Sequence, residues 1–119
     1  MAKTSNSTDD IVLVHSSDIH VDDGYTARAN GGDGTNPLLD VLRTAELVKA
    51  DIVLLVGDVF EHNRLANDIV SKAARIMGGA PMHVVALPGN HDPAIPDSPW
   101  HHKEMGKADK LHILGVTHK

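Results

Sequence analysis

The chain contains no cysteine, which excludes disulfides and thiolate metal sites and leaves oxygen and nitrogen as the available metal ligands. It has one tryptophan, one tyrosine and one phenylalanine, so its core must be built from Val, Ile, Leu and Ala, as in a buried parallel sheet. No apolar run approaches the roughly 20 residues that a membrane-spanning helix needs, and the polar stretch Met1–Asp10 lacks the apolar centre of a secretion signal. The expectation is a cytoplasmic protein with no membrane partner and a disordered leader over residues 1–10. Basic residues are also in deficit. Eleven Lys and Arg against sixteen Asp and Glu give a net charge of −5, which argues against broad electrostatic attachment to nucleic acid. A nucleic-acid substrate reached through metal ions stays open.

What is present is a recurrence. Three apolar runs each end in a compact polar cluster: Asp18-Ile19-His20 follows Ile11–His15, Gly57-Asp58 follows Ile52–Val56, and Gly89-Asn90-His91-Asp92 follows Met82–Leu87. These runs are long enough for strands and too short for helices. The run at Ile52–Val56 is apolar throughout and reads as a central strand buried on both faces. Between the first two runs, Asn36-Pro37 reads as an N-cap with proline at the first helical position, and Leu38, Val41, Leu42, Ala45 and Val48 share one helical face, ending near Lys49. Between the second and third, Leu65, Ile69, Ala73, Ile76 and Met77 recur at helical spacing until Gly78-Gly79. Residues 21–35, with Gly31-Gly32-Asp33-Gly34, read as a loop rimming the strand ends. Residues 92–109 read as a second loop, with Trp100 as a surface anchor, and Leu111–Val116 as a further strand. The fold class is therefore α/β, a mainly parallel β-α-β-α-β sheet forming one domain over 11–119.

Parallel strands with right-handed crossovers lie side by side, so the three clusters fall at one sheet edge, outside the carboxyl ends where open α/β sheets hold ligands. Carboxylate, amide and imidazole groups together suit hard or borderline divalent ions. Asp18 and His20 alternate across Ile19, so on an extended strand end both point one way and share an ion. The two oxygens of Asp58 can bridge ions about 3.5–4 Å apart. Asn90 can give an amide oxygen to the second ion, and Gly57 and Gly89 permit tight turns beside the metals. His91 is placed to face substrate as a general acid. Taken singly, an aspartate after a strand is more often a cap or turn residue. Glu61 and His62 can touch substrate or merely open the second helix, and His15 and His83 read as ordinary packed or edge histidines.

Asp-x-His, Gly-Asp and Gly-Asn-His-Asp in that order, spread over nearly the whole chain, resemble the calcineurin-like metallophosphoesterase superfamily. The first two motifs are weak alone; Gly-Asn-His-Asp is much sharper. The resemblance implies the first half of a four-layer α/β/β/α sandwich and two divalent metal ions, manganese first, with iron, zinc, nickel or magnesium as alternatives. It implies Asp18, His20 and Asp58 on the first ion, Asp58 and Asn90 on the second, and His91 acting on substrate. The reaction implied is hydrolysis of a phosphomonoester or phosphodiester by metal-activated water, on a substrate that includes nucleotides or nucleic acid. Ser16–His20 and Gly57–Phe60 are similar in wording to the DNA-repair exonuclease branch. The family completes its site with further histidines, two in a Gly-His-x-His motif that this sequence lacks. His101, His102, His112 and His118 do not stand in that context. The expectation is thus a truncated domain whose open sheet face needs a homo-oligomer or a missing second half, the alternative function being a non-catalytic metal-binding or interaction domain.

Overall fold

The computed structural model describes residues 10–22 and 34–118. The leader expected over 1–10, apart from Asp10, and most of the loop expected over 21–35 lie outside them. Four strands form one parallel sheet in the order β1-β2-β3-β4: β1 is Leu13–Ser16, β2 Ile52–Val56, β3 His83–Leu87 and β4 Leu111–Ile113. Two helices make the first crossovers, α1 over Asn36–Leu47 and α2 over Asn67–Gly78. Short 3₁₀ turns at Pro99–His101 and Lys103–Gly106 occupy what the sequence presents as plain loop before β4. None of the described helices is long and apolar enough to cross a membrane.

Helix α1 starts one residue earlier than its sequence suggests. Thr35, not Asn36, is the N-cap, and it makes no side-chain cap bond. The proline fits either way, because the first-turn N–H groups have no partner within the helix. The helix stops when Lys49 turns left-handed, at φ 58°. Val48 is then left exposed, outside the apolar face that periodicity assigns it. Leu38, Leu42 and Ala45 of α1 and Val70, Ala73, Ala74 and Met77 of α2 are buried against the sheet.

The sheet is covered on one side. Val53, Leu55, Val84, Ala86 and Ile113 are fully buried, whereas Ile52, Leu54 and Val85 are half-buried and Leu13, Val56 and Leu87 exposed. The expectation of a β2 buried on both faces is therefore wrong. Spatial order follows chain order, so every crossover steps the same way, and right-handed crossovers stepping one way lay their helices on one face. The apolar run in β2 supplies one fully packed row and one open row.

Trp100 is a core residue rather than a surface anchor, with no exposure. Its ring meets Phe60 edge-on at 5.0 Å, and its Nε1–H donates to the Asp92 carbonyl at 2.9 Å. A chain with three aromatic residues thus puts two of them directly beneath the turns that carry the polar clusters. Trp100→Phe, which keeps a ring but removes the donor and leaves a small void, is expected to cost about 2 kcal/mol in urea unfolding.

Candidate metal centre

The β1 and β2 chains stay zipped beyond the strands. Asp18 N–H donates to Gly57 O (3.3 Å), His20 N–H to Asp58 O (3.0 Å) and Val21 N–H to Val59 O (2.7 Å), and Glu61 N–H returns to Val21 O (2.8 Å). This ladder fixes the first cluster against the second. It does so in an unusual backbone state: Asp18, His20 and Asp58 all have positive φ, at 55°, 54° and 52°. A left-handed conformation costs a non-glycine residue about 1–2 kcal/mol, and such strain concentrates at functional sites. The extended arrangement expected for Asp18-Ile19-His20 is thus replaced by two left-handed residues flanking a buried Ile19. Both flanking side chains still converge, His20 Nε2 lying 3.7 Å from Asp18 Oδ1. The reason is that β1 ends at Ser16, so the pleat that would alternate the side chains is already lost.

The third cluster docks on the second through glycine. A methyl group at Gly89 would stand 2.6 Å from Asp58 N and 2.7 Å from Asp58 Oδ1, so only a bare Cα fits there. Gly57, at φ 77°, makes the matching turn and donates to Leu87 O at 2.8 Å. Asp58 Oδ1 accepts the His91 N–H at 2.7 Å, and exposed Asn90 lies on the same turn between Gly89 and His91.

Asp92, the last residue of the third cluster, plays a structural part that the sequence does not reveal. Its carboxylate is fully buried and accepts three backbone N–H groups, from Asp58 (3.1 Å), Gly89 (2.7 Å) and Phe60 (2.9 Å). Burial raises its pKa above the ordinary value of 3.8, overcoming these three donors, which act in the opposite direction.

Two groups of ligating atoms result, the atoms of each lying within 4.8 Å of one another: Asp18, His20 and Asp58, and His20, Glu61 and His91. Two carboxylates and an imidazole at that spacing fit one divalent ion after small side-chain adjustments. His20 Nδ1 supports the fit. It is buried and 3.0 Å from Glu61 Oε2, yet the approach lacks hydrogen-bond geometry, so the nitrogen has no bonding partner. Glu61 is the residue that pattern reading left undecided. Its carbonyl accepts from His91 Nδ1 at 3.0 Å, which fixes the proton on Nδ1 and leaves Nε2 to exchange protons. The His20 and His91 rings meet edge-on at 5.2 Å. His62 is turned away, bonded at Nδ1 by Arg64 N–H and 3.9 Å from Asp22.

A model of the calcineurin-like phosphoesterases matches residues 11–118, a span that contains all three clusters. The chain belongs to the calcineurin-like phosphoesterase family. Among curated proteins, none matches the chain closely enough to count as a relative. Family membership makes this sheet edge the edge of a metal-dependent phosphoesterase domain.

The raised pKa of Asp92 gives a signed expectation. A carboxyl whose folded pKa exceeds its unfolded value contributes stability below the unfolded value, near 3.8, and loses it as pH rises through the folded one. Asp92→Asn removes that titration and, at every pH, opposes an amide to the Phe60 N–H. Urea unfolding is expected to show Asp92→Asn more stable relative to the parent at pH 7 than at pH 4.

Proposed function

We propose that this sheet edge is a phosphoester hydrolase centre in which Asp18, His20 and Asp58 hold one divalent cation, Asp58 and Asn90 begin a second, and His91 acts on the substrate. The observation that carries this reading is the convergence of Asp18, His20 and Asp58, all three held in left-handed backbone, in a chain of the calcineurin-like phosphoesterase family. Three strained polar residues at one point give the fold nothing that uncharged glycine-rich turns would not give it more cheaply. A cation gives that strain a use.

Divalent cations bound there would lower the pKa of water and neutralise charge on the phosphate. The chain's own residues supply the rest. Asp58 is fixed by the His91 N–H, so its carboxylate cannot swing away from the cluster. His91 is exposed and has Nδ1 engaged by the Glu61 carbonyl, so Nε2 is the nitrogen from which its protonated form would donate to a leaving oxygen. Oxygen-rich ligation with a single imidazole on the first ion favours manganese over softer ions. Within this proposal, the Ser16–His20 and Gly57–Phe60 wording favours a phosphodiester substrate such as a nucleotide or nucleic-acid end. With a net charge of −5, the chain would meet such a substrate through its cations rather than through a basic surface.

Turnover of chromogenic phosphomonoesters and phosphodiesters with added manganese tests the reading. Asp58→Ala is expected to abolish both metal uptake and turnover. His91→Ala is expected to keep the metal while losing about 10²–10⁴-fold in rate. Undiminished turnover in Asp58→Ala contradicts the assignment.

A further inference from the structure

Three imidazoles stand in a row on the open face of the sheet. His83 begins β3, and His112 lies in the middle of β4. The register partner of His112 is Val85, two residues beyond His83, so both histidines project from the same face. The turn after β4 brings His118 alongside, through the bridge between Leu114 and His118. His83 Nδ1 is 3.1 Å from His112 Nε2, and the opposite nitrogen of the same ring, His112 Nδ1, is 3.4 Å from His118 Nε2. The row ends at Thr117, whose Oγ1 is 2.8 Å from His118 Nδ1. His112 thus faces a neighbour with each edge of its ring, and the three rings form a linear hydrogen-bonded chain.

The turn that carries His118 has little else to hold it. The N–H groups of Val116, Thr117 and His118 all reach one acceptor, the Ile113 carbonyl, at 3.0, 2.9 and 3.2 Å. A carbonyl oxygen has two lone pairs, so these three donors compete. Thr117 Oγ1 accepts the Ile113 N–H at 2.7 Å, and the Gly115 N–H donates to the His118 carbonyl. Half-buried Val116 packs against the core, but the imidazole row alone hydrogen-bonds residues 115–118 to anything beyond Ile113. The turn lies along the outer margin of the sheet. Leu114 N–H points to Ala86 O of β3, whereas the groups that take up His118, Ile113 O and Gly115 N–H, point the opposite way.

Each link of the row needs one nitrogen that carries a proton and one that does not. Three neutral rings satisfy both links in either direction. One added proton is accommodated on any ring; a protonated His112, for example, donates to both neighbours. A second added proton is not. If adjacent rings are charged, two N–H groups meet across their link; if His83 and His118 are charged, the one N–H that neutral His112 keeps opposes one of them. Like charge adds to the loss. We infer that the His83–His112–His118 row is an acid-released latch, which holds the turn over the outer edge of β4 near neutral pH and lets it go when a second proton enters. Release bares the backbone groups of that edge for pairing with another strand.

The surroundings of the row support this sense. Desolvation, with the neighbouring imidazoles of His118 and His83, holds His112 below the usual histidine range. A folded value under the unfolded one means that the latched state keeps its stability above about pH 6.5 and loses it as pH falls through that value. The charged groups acting on His112 are those two imidazoles. Lys110, just before β4, spends its ammonium on the Pro81 carbonyl at 3.0 Å. Glu46, Lys49 and Asp51 line a cavity together with His83, at the far end of the row from the turn. His15 is on β1, with β2 and β3 between it and His112. The His118 link is the longer of the two and the only one not flanked by a strand ladder on both sides, so it is the link that opens.

Backbone amide NMR of the full chain between about pH 7.5 and about pH 5 tests the latch. The amides of Val116, Thr117 and His118 are expected to move together to unstructured positions with a Hill slope above one and approaching about two, while those of Val84 and Val85 in β3 keep their folded positions. His118→Ala, at an exposed position, is expected to show the released turn already near neutral pH, with no further step on acidification. Turn amides that stay folded throughout, that release with a one-proton slope, or that are unchanged near neutral pH in His118→Ala overturn the proposal. So does a sheet that melts in the same step as the turn.

Discussion

One buried carboxylate, that of Asp92, accepts the amide protons of Asp58, Phe60 and Gly89 and so ties the turn after β3 to the turn after β2. The turn after β1 is in turn zipped to the β2 side by four backbone bonds, so the three clusters form a single mechanical unit. Remove the three Asp92 bonds and Gly89 has no reason to lie against Asp58, the His91 N–H loses its acceptor, and the left-handed turns that aim Asp18, His20 and Asp58 have nothing to oppose their strain. Burying that carboxylate is unfavourable enough to raise its pKa. The Trp100 and Phe60 rings meet edge-on, and the indole N–H satisfies the Asp92 backbone carbonyl. The site is therefore held from below by an apolar floor and from within by a buried acceptor, while its chemistry-bearing groups stay at the rim.

The sheet has a second consequence. Strands laid down in chain order with crossovers of one hand place both helices on one side, and among the described residues no layer covers the face of Leu13, Ile52, Leu54, Val56, Val85 and Leu87. The histidines His15, His83 and His112 belong to this same row, which makes the open face partly polar and chemically distinct from the packed side. One face thus supplies the stability that holds the strand ends in place, and the other carries imidazoles among its apolar side chains.

Much of this was legible in the residues. The β-branched runs, the two helical periodicities and the three polar clusters marked the three parallel strands, the two helices and a further strand in the right order, because most runs are bounded by a glycine, proline or polar break near their observed end; the last strand, expected over Leu111–Val116, stops at Ile113, where the chain turns and Thr117 Oγ1 takes the Ile113 N–H. The convergence of Asp18, His20 and Asp58 was legible as well, since parallel topology alone brings strand ends together. What could not be read were features set by contacts distant in sequence. Asp92 looks like any polar residue after a motif until Phe60 and Gly89 are seen donating to it. Trp100 looks like a loop anchor until Phe60 is found beneath it. Glu61 looks like a helix start until the paired turns carry its carbonyl to His91. Positive φ at Asp18, His20 and Asp58 is likewise invisible, because these residue types tolerate the left-handed region without announcing it, as glycine does.

On the function proposed above, Asp18, His20 and Asp58 hold left-handed backbone so that they can share a cation. Diffraction from crystals of the manganese-loaded chain, with data at the manganese absorption edge, tests this most directly. An anomalous peak is expected within about 2.0–2.5 Å of an Asp18 oxygen, a His20 nitrogen and an Asp58 oxygen together. A manganese-loaded chain whose anomalous density lies elsewhere, with those three side chains ligating nothing, would contradict it.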